Sequence, residues 1–162
     1  IFDTTEYDGV KKDLDDLLSE WINHDKPITI LDLGGIPFDV MDLAVGLISR
    51  LSYETMFWGR FLDGIGRQRP ILMVYEEAHS YLPKGGSSQF VQGYSSSAVR
   101  RICKEGRKYG IGALIISQRP SDLDSSILSQ CGTFITLRFN GLILLMLIFY
   151  KIISTKPRFY WF

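Results

Sequence analysis

Cysteine is scarce in this 162-residue chain, and no long apolar segment is present. The two cysteines, Cys103 and Cys131, form no CxxC pair, and no histidine lies near them in sequence to complete a zinc set. Residues 1–25 are acidic, so the sequence shows no secretory signal peptide there. The longest apolar run, at 142–150, has nine residues, whereas a membrane-spanning helix needs about 20. We therefore expect a reduced, cytoplasmic protein without integral membrane insertion.

Net charge is also absent, but only as an average. Residues 1–42 hold 11 acidic and three basic residues, a charge of −8, and residues 43–162 hold seven acidic and 15 basic residues, a charge of +8. This split predicts an acidic face and a basic face. The zero average argues against a uniformly basic nucleic-acid binder. The length and the 46% of hydrophobic residues suit one domain with its own core, and they exclude a disordered, collagenous or coiled-coil chain.

Helix-like and strand-like segments alternate along the chain. Helices are predicted from apolar residues at helical spacing, and strands from short apolar runs bounded by Gly or Pro. The predicted order is helix 8–23, strand 28–33, helix 39–62, strand 71–75, helix 98–109, strand 112–117, short helix 122–130 and strand 133–139, with a Gly- and Ser-rich loop at 83–97. This alternation predicts a three-layer α/β fold with a mostly parallel sheet and helices on both faces.

Polar side chains follow three of the predicted strands, namely Asp32, the pair Glu76 and Glu77, and the segment Ser117-Gln118-Arg119. Because the ligand crevice of an open parallel sheet lies at that edge, we expect these groups to share one site. Paired carboxylates suit metal–nucleotide chemistry, in which one holds the Mg²⁺ shell and its neighbour polarises the attacking water. The Gln118 amide can donate a hydrogen bond to a phosphate and accept one from a water. The alternative for the two glutamates is an acidic helix start stabilised by the helix dipole.

The predicted helix 98–109 has one wholly basic face. At about 100° per residue, five cations fall on one arc, and the apolar residues that would pack on the sheet fall on the other; the cations are Arg100, Arg101, Lys104, Arg107 and Lys108. We expect Glu105 to be the only acidic residue available to offset them. Such an arc is suited to an anionic partner such as phosphate. The alternative is an ordinary solvated face.

Two long segments carry a resemblance to a known family. The strings ILMVYEEAHSYLP at 71–83 and RRICKEGRKYGIGALIISQRPSDLDSSILSQCGTFITLRF at 100–139 resemble the HerA family of DNA-translocating ATPases, and ITILDLGGIP at 28–37 fits the preceding strand. This family is related to the FtsK translocases and to the conjugation ATPases of the VirB4 type. The resemblance implies a RecA-like P-loop core, a homo-hexamer around duplex DNA, and hydrolysis of ATP with Mg²⁺. It also implies a nuclease or other effector partner, in DNA processing or anti-phage defence.

The resemblance implies roles for single residues. Glu76 matches the Walker B acid that orders Mg²⁺, and it would hold the ion through water. Glu77 matches the catalytic glutamate that activates the attacking water. Gln118 matches the sensor that contacts the γ-phosphate. His79, two residues after Glu77, either orients this edge or caps the next helix.

The basic helix matches the region that supplies an arginine across the subunit interface. Such an arginine stabilises the charge of the transition state. Arg101 and Arg107 are the leading candidates and Arg138 is a lesser one, and the sequence leaves the choice open.

The sequence departs from the family in two places. It contains no GxxxxGK[ST] motif, so the phosphate cradle and its lysine, which family members carry upstream, are missing from these 162 residues. Residues 1–140 are therefore interpreted as a partial ATPase domain that runs from Walker B to the sensor. Residues 141–162 are interpreted as an atypical apolar and basic tail: a buried strand or helix, a peripheral membrane contact, or a frameshifted or truncated end.

Two other functions stay open on the sequence alone. One is a conjugation or type IV secretion motor that moves protein or single-stranded DNA at a membrane. The other is a non-catalytic piece that binds ATP poorly because it lacks the phosphate cradle.

Overall fold

The computed structural model describes residues 13–22, 24–84, 93–139 and 142–149, with the backbone alone at 38–39, 137–139 and 142–149. The chain forms two compact units, Ile1–Gly34 and Gly35–Phe162. In the first unit, helix α1 spans Leu14–Trp21 and begins with a capping box. The Asp13 carboxylate accepts a hydrogen bond from the Asp16 N–H at 2.9 Å, and the Asp16 carboxylate accepts one from the Asp13 N–H at 3.3 Å. The rest of the predicted helix, 8–12 and 23, lies outside the described residues.

The prediction of a strand at 28–33 is wrong. This segment pairs with no other strand in the described part of the chain, and Ile28 and Ile30 are 72% and 85% exposed. A β-branched run is stabilised as a strand mainly by the neighbours that it packs against. Here local bonds hold the segment instead: the Thr29 hydroxyl donates to the Trp21 carbonyl at 3.0 Å and lies 2.5 Å from His24 Nε2.

The second unit alternates helices and strands much as the sequence predicts. In chain order its elements are α2 (Phe38–Trp58), β1 (Ile71–Tyr75), α3 (Tyr94–Glu105), β2 (Ile111–Ser117), α4 (Ser125–Leu128), β3 (Thr133–Phe139) and β4 (Leu142–Phe149). Short 3₁₀ turns lie between them at Gly59–Phe61, Gly66–Gln68, Ala78–Ser80, Gly106–Lys108 and Pro120–Asp122. The predicted bounds of β1 and β3 are confirmed, and β2 begins one residue earlier than predicted.

The sheet has the order β1-β2-β4-β3. β1 and β2 are parallel and in register from Ile71 opposite Ile111 to Tyr75 opposite Ile115, as expected. Residues 142–149 of the apolar run form β4, which is antiparallel to both β2 and β3. The expectation of a mostly parallel sheet therefore holds only for the β1–β2 pair, because β4 runs antiparallel to both of its neighbours. Among the described residues, no helix is long and apolar enough to cross a membrane.

One face of the sheet carries the core. Ala113 and Ile115 on β2 are fully buried, and the Tyr75 hydroxyl lies 2.9 Å from Ser49 Oγ on α2. On the opposite face, Leu72 and Val74 are 46% and 51% exposed. In the described part of the chain, helices therefore cover only one face of the sheet at strand β1, whereas the sequence predicts helices on both faces of the sheet.

Helix α3 begins four residues before the predicted start because a distant carboxylate caps it. Asp42 of α2 is 2% exposed, and it accepts hydrogen bonds from the N–H groups of Gly93, Tyr94 and Ser95 at 3.0, 3.2 and 2.9 Å. It also accepts one from the Ser95 hydroxyl at 2.5 Å, and that hydroxyl contacts the Tyr81 carbonyl as well. The first N–H groups of a helix have no partner inside it, so this carboxylate stabilises a Ser-rich start that local sequence predicts as loop.

We expect Asp42→Ala to lower the free energy of unfolding by about 3 kcal/mol, because the buried N–H and hydroxyl of Ser95 and two part-buried N–H groups would lose a charged acceptor. The change can be measured by urea unfolding followed by circular dichroism. Asp63→Ala is the matched control, since Asp63 is exposed and its removal should change stability by less than about 0.5 kcal/mol. Equal stability of the two variants would contradict the capping role.

Candidate active site

The carboxyl ends of β1 and β2 meet at one edge of the sheet because the two strands are parallel neighbours. β1 ends at Tyr75 and is followed directly by Glu76 and Glu77, while β2 ends at Ser117 and is followed by Gln118. The predicted polar groups of these two strands therefore lie together.

Glu77 is the centre of a small polar network at this edge. Gln118 Nε2 donates a hydrogen bond to Glu77 Oε1 at 2.6 Å. His79 Nδ1 lies 3.4 Å from Glu77 Oε2 and 3.2 Å from Ser117 Oγ. Ser117 is buried, and its hydroxyl also accepts from the Arg119 N–H at 3.0 Å. The Glu77 side chain is 52% exposed, so the carboxylate is held by two neighbours and still reaches solvent.

The backbone of Glu77 is strained. Its φ of 48° and ψ of 39° make it the one non-glycine residue of positive φ in the described ranges. This left-handed conformation costs an ordinary residue about 1–2 kcal/mol, and such strain clusters at functional sites. Glu77 precedes the turn Ala78–Ser80 but makes no side-chain capping bond to it. The alternative interpretation, in which the two glutamates only stabilise the start of a helix, is therefore not supported by a side-chain capping bond from Glu77.

Glu76 is held through its backbone. Its carbonyl accepts a hydrogen bond from the Tyr81 hydroxyl at 2.7 Å, while its side chain is exposed. Burial raises the pKa of Tyr81, and the charges of Glu76 and Glu77 raise it further. Tyr81 therefore remains a protonated donor. No feature of the sequence alone distinguishes Tyr81 from a core residue, since the contact depends on the turn.

A divalent cation could use Glu76 as one ligand. Among the described residues, no three His, Cys, Asp or Glu side chains form a metal-holding group. Mg²⁺ usually keeps several waters and takes one or two carboxylates together with substrate phosphates. The exposed carboxylate of Glu76 fits that mode of binding, through water, and the site does not fit an all-protein cage.

Arg101 is tied to α2 within its own chain. Its Nη1 lies 2.9 Å from Glu54 Oε1, and its guanidinium lies 4.3 Å from the centroid of the Tyr53 ring. The Tyr53 hydroxyl in turn donates to Glu105 Oε2 at 3.1 Å. The expectation that Glu105 alone offsets the cations is thus wrong, because α2 supplies a second carboxylate that the sequence of α3 cannot reveal.

Arg107 has a different environment. The α-helix ends at Glu105, and Arg107 lies in the 3₁₀ turn that follows, where the spacing of an α-helix no longer applies. Its side chain is exposed and forms no ion pair in the part of the chain that the structure describes. Arg100, by contrast, pairs with Asp124 at 2.9 Å. The cations of the predicted basic arc are therefore not equivalent: Arg100 and Arg101 form ion pairs, whereas Arg107 forms none within the described residues.

The two candidate arginines of the basic helix do not join the Glu77 network. No hydrogen bond or ion pair links Arg101 or Arg107 to Glu77 within the described residues. Asp32 belongs to the first unit, where its carboxylate accepts from the Gly34 N–H at 2.8 Å. The side chain of Arg138 lies outside the described residues.

An α/β protein with paired acids and a glutamine at the ends of two parallel strands is compatible with part of a P-loop NTPase. No family model matches the chain. Among known proteins it is similar to the DNA double-strand break repair helicase HerA of Sulfurisphaera tokodaii, at 32% identity over 68% of this chain and 21% of that protein. The helicase of the same name from Saccharolobus solfataricus is 35% identical over the same shares. That of Pyrococcus furiosus is 45% identical over 43% of this chain and 12% of its own length.

These matches show that the chain is HerA-like over about two thirds of its length. The matched segment spans about a fifth of the length of these curated relatives.

The Tyr53 contact predicts a pH dependence. Burial, reinforced by the hydrogen bond to Glu105, raises the pKa of Tyr53 from 10.0 to about 12. The unfolded chain therefore loses this proton first, and the free energy of unfolding should fall as the pH rises from 10 to about 12. Tyr53→Phe should show a smaller fall than the wild type in urea titrations across this range. Tyr94→Phe, which changes an exposed tyrosine, should retain the wild-type slope, and an unchanged slope in Tyr53→Phe would refute the assignment.

Proposed function

We propose that this chain contributes ATP-hydrolysing residues to an ATP-driven DNA helicase or translocase. The whole protein would assemble as a homo-hexamer around duplex DNA. The observation that carries the proposal is the 2.6 Å contact between Glu77 and Gln118 at the carboxyl ends of adjacent parallel strands. The similarity to proteins named HerA helicases supports the use of nucleotide and DNA. A nuclease or other effector partner, in DNA processing or anti-phage defence, belongs to the same proposal.

Glu77 is suited to activate water. The oxygen of a water attacks the γ-phosphorus of ATP, the bond to the ADP oxygen breaks, and the proton of the water passes towards the carboxylate. His79 and Gln118 hold one carboxylate oxygen each. Because the Gln118 amide nitrogen donates to Glu77, its carbonyl oxygen is left to accept from the same water.

Glu76 is suited to hold Mg²⁺ through water. When bound, the ion neutralises charge on the phosphates. The phosphate cradle must come from residues outside this sequence, because no Walker A motif occurs in it.

Arg107 is the better candidate for the arginine that acts across a subunit interface. Arg101 is engaged by Glu54 and Tyr53 of its own chain, whereas Arg107 is exposed without an ion pair among the described residues. A guanidinium without an internal partner can reach a phosphate of the neighbouring subunit at lower cost.

In a protein that contains this segment together with a Walker A motif, Glu77→Gln should retain ATP binding and lower turnover at least about 100-fold, because general-base catalysis contributes that much or more. Fluorescent-nucleotide binding and phosphate release measure the two quantities. Asp63→Asn, a change in an exposed loop, should leave both unchanged. Retained hydrolysis in Glu77→Gln would refute the catalytic assignment.

Mixed assemblies distinguish the two arginines. Arg107→Ala subunits mixed with wild-type subunits should lower turnover at each affected interface about 10³-fold or more, as removal of an arginine finger does. Arg101→Ala should instead lower the free energy of unfolding, because it breaks a contact within one chain. If neither variant reduces the activity of the mixed assembly, the role in trans is wrong.

A further inference from the structure

Three 3₁₀ turns lie together at the edge of the sheet opposite Glu77, namely Gly59–Phe61, Gly66–Gln68 and Gly106–Lys108. β1 begins at Ile71, whose N–H donates to the Gly110 carbonyl at 2.8 Å just before β2 begins. Gly110 lies so close to the turn Gly66–Gln68 that a Cβ on it would be 2.4 Å from the Gly66 carbonyl oxygen. The turns Gly59–Phe61 and Gly106–Lys108 adjoin it, since the Arg60 guanidinium lies 5.9 Å from the ring centroid of Tyr109. With seven residues in β2, this edge is about 20 Å from the Glu77 site.

This edge has an excess of positive charge. Residues 59–70 hold three arginines and one acid, and residues 104–108 hold three cations and one acid. Arg67 and Lys108 are exposed. The two acids are Asp63, in the loop between the first two turns, and Glu105, which accepts a hydrogen bond from Tyr53. An excess of four positive charges in two short segments favours a polyanionic partner.

Exposed aromatic rings stand among these cations. Trp58 is 67% exposed and Phe61 is 78% exposed. The Arg60 guanidinium lies 4.1 Å from the ring centroids of both Phe57 and Phe61. Its stacking occupies one face of Phe61, and the exposure of that ring leaves surface open for a second planar group.

We propose that this basic–aromatic edge, formed by Trp58, Arg60, Phe61, Arg67 and Lys108, binds single-stranded nucleic acid. The cations contact the phosphates, and unpaired bases stack on the Trp58 and Phe61 rings. Paired bases cannot stack on these rings without leaving the duplex, so a single strand is favoured over a double strand. An apolar protein partner would use the rings but would leave the excess charge unmatched.

This surface goes beyond the proposed function and does not depend on ATP turnover. Binding of a fluorescent oligo(dT) to the 162-residue chain, without nucleotide, can be followed by anisotropy over a range of salt concentrations. In the double variant Arg67→Gln with Lys108→Gln, the slope of log K against log salt should be less steep by about 1.4, since each lost phosphate contact removes about 0.7. Phe61→Ala should weaken binding about tenfold.

Arg50→Gln with Arg119→Gln is the matched control, because it removes two exposed cations elsewhere on the same unit. This control and Glu77→Gln should both bind the oligonucleotide like the wild type, so a failed ATPase assignment would leave the result unaffected. Circular dichroism verifies that each variant is folded. The proposal is overturned if the wild-type chain does not bind at low salt, if the control loses as much affinity as the double variant, or if blunt duplex of equal length binds as tightly.

Discussion

The parallel pairing of β1 with β2 is the constraint on which the candidate site depends. Because Tyr75 lies opposite Ile115, continuing the two strands by two residues brings Glu77 level with Ser117. A shift of one residue would turn the side chains of one strand to the other face of the sheet. The 2.6 Å contact between Glu77 and Gln118 is therefore a consequence of strand register, and it is completed by the left-handed turn at Glu77.

The sequence predicts best what depends on short-range pattern. β1 is a continuous apolar run and β3 is rich in β-branched and aromatic residues, and the bounds of both match the prediction. Helix α3 starts early because its cap, Asp42, is about 50 residues away in the chain. The strand predicted at 28–33 needed a neighbour that no local signal could supply. The position of β4 between β2 and β3 likewise depends on long-range pairing, since an apolar run does not indicate which strands it will pair with.

The same limit applies to the site. Glu77 and Gln118 could be predicted because both follow strands that the sequence identifies, and parallel strands end at one edge. The pairing of Arg101 with Glu54 could not, because it joins two helices through side chains 47 positions apart. That contact changes the interpretation of the basic helix: the cations are not equivalent, and the sequence alone leaves Arg101 and Arg107 indistinguishable.

Helix α3 links the polar edge of the sheet with the basic one. Near the polar edge, the Tyr81 hydroxyl bonds to the Glu76 carbonyl, and the Tyr81 carbonyl meets Ser95 in the first turn of the helix. The 12 residues of α3 span about 18 Å. The helix ends at Glu105, and the turn that carries Lys108 begins at the next residue, Gly106. Gly106 packs so tightly that a Cβ on it would lie 2.3 Å from the Ile111 carbonyl oxygen. With both ends held, the helix cannot shift along its axis without disturbing either the backbone of Glu76 or the turn that presents the cations.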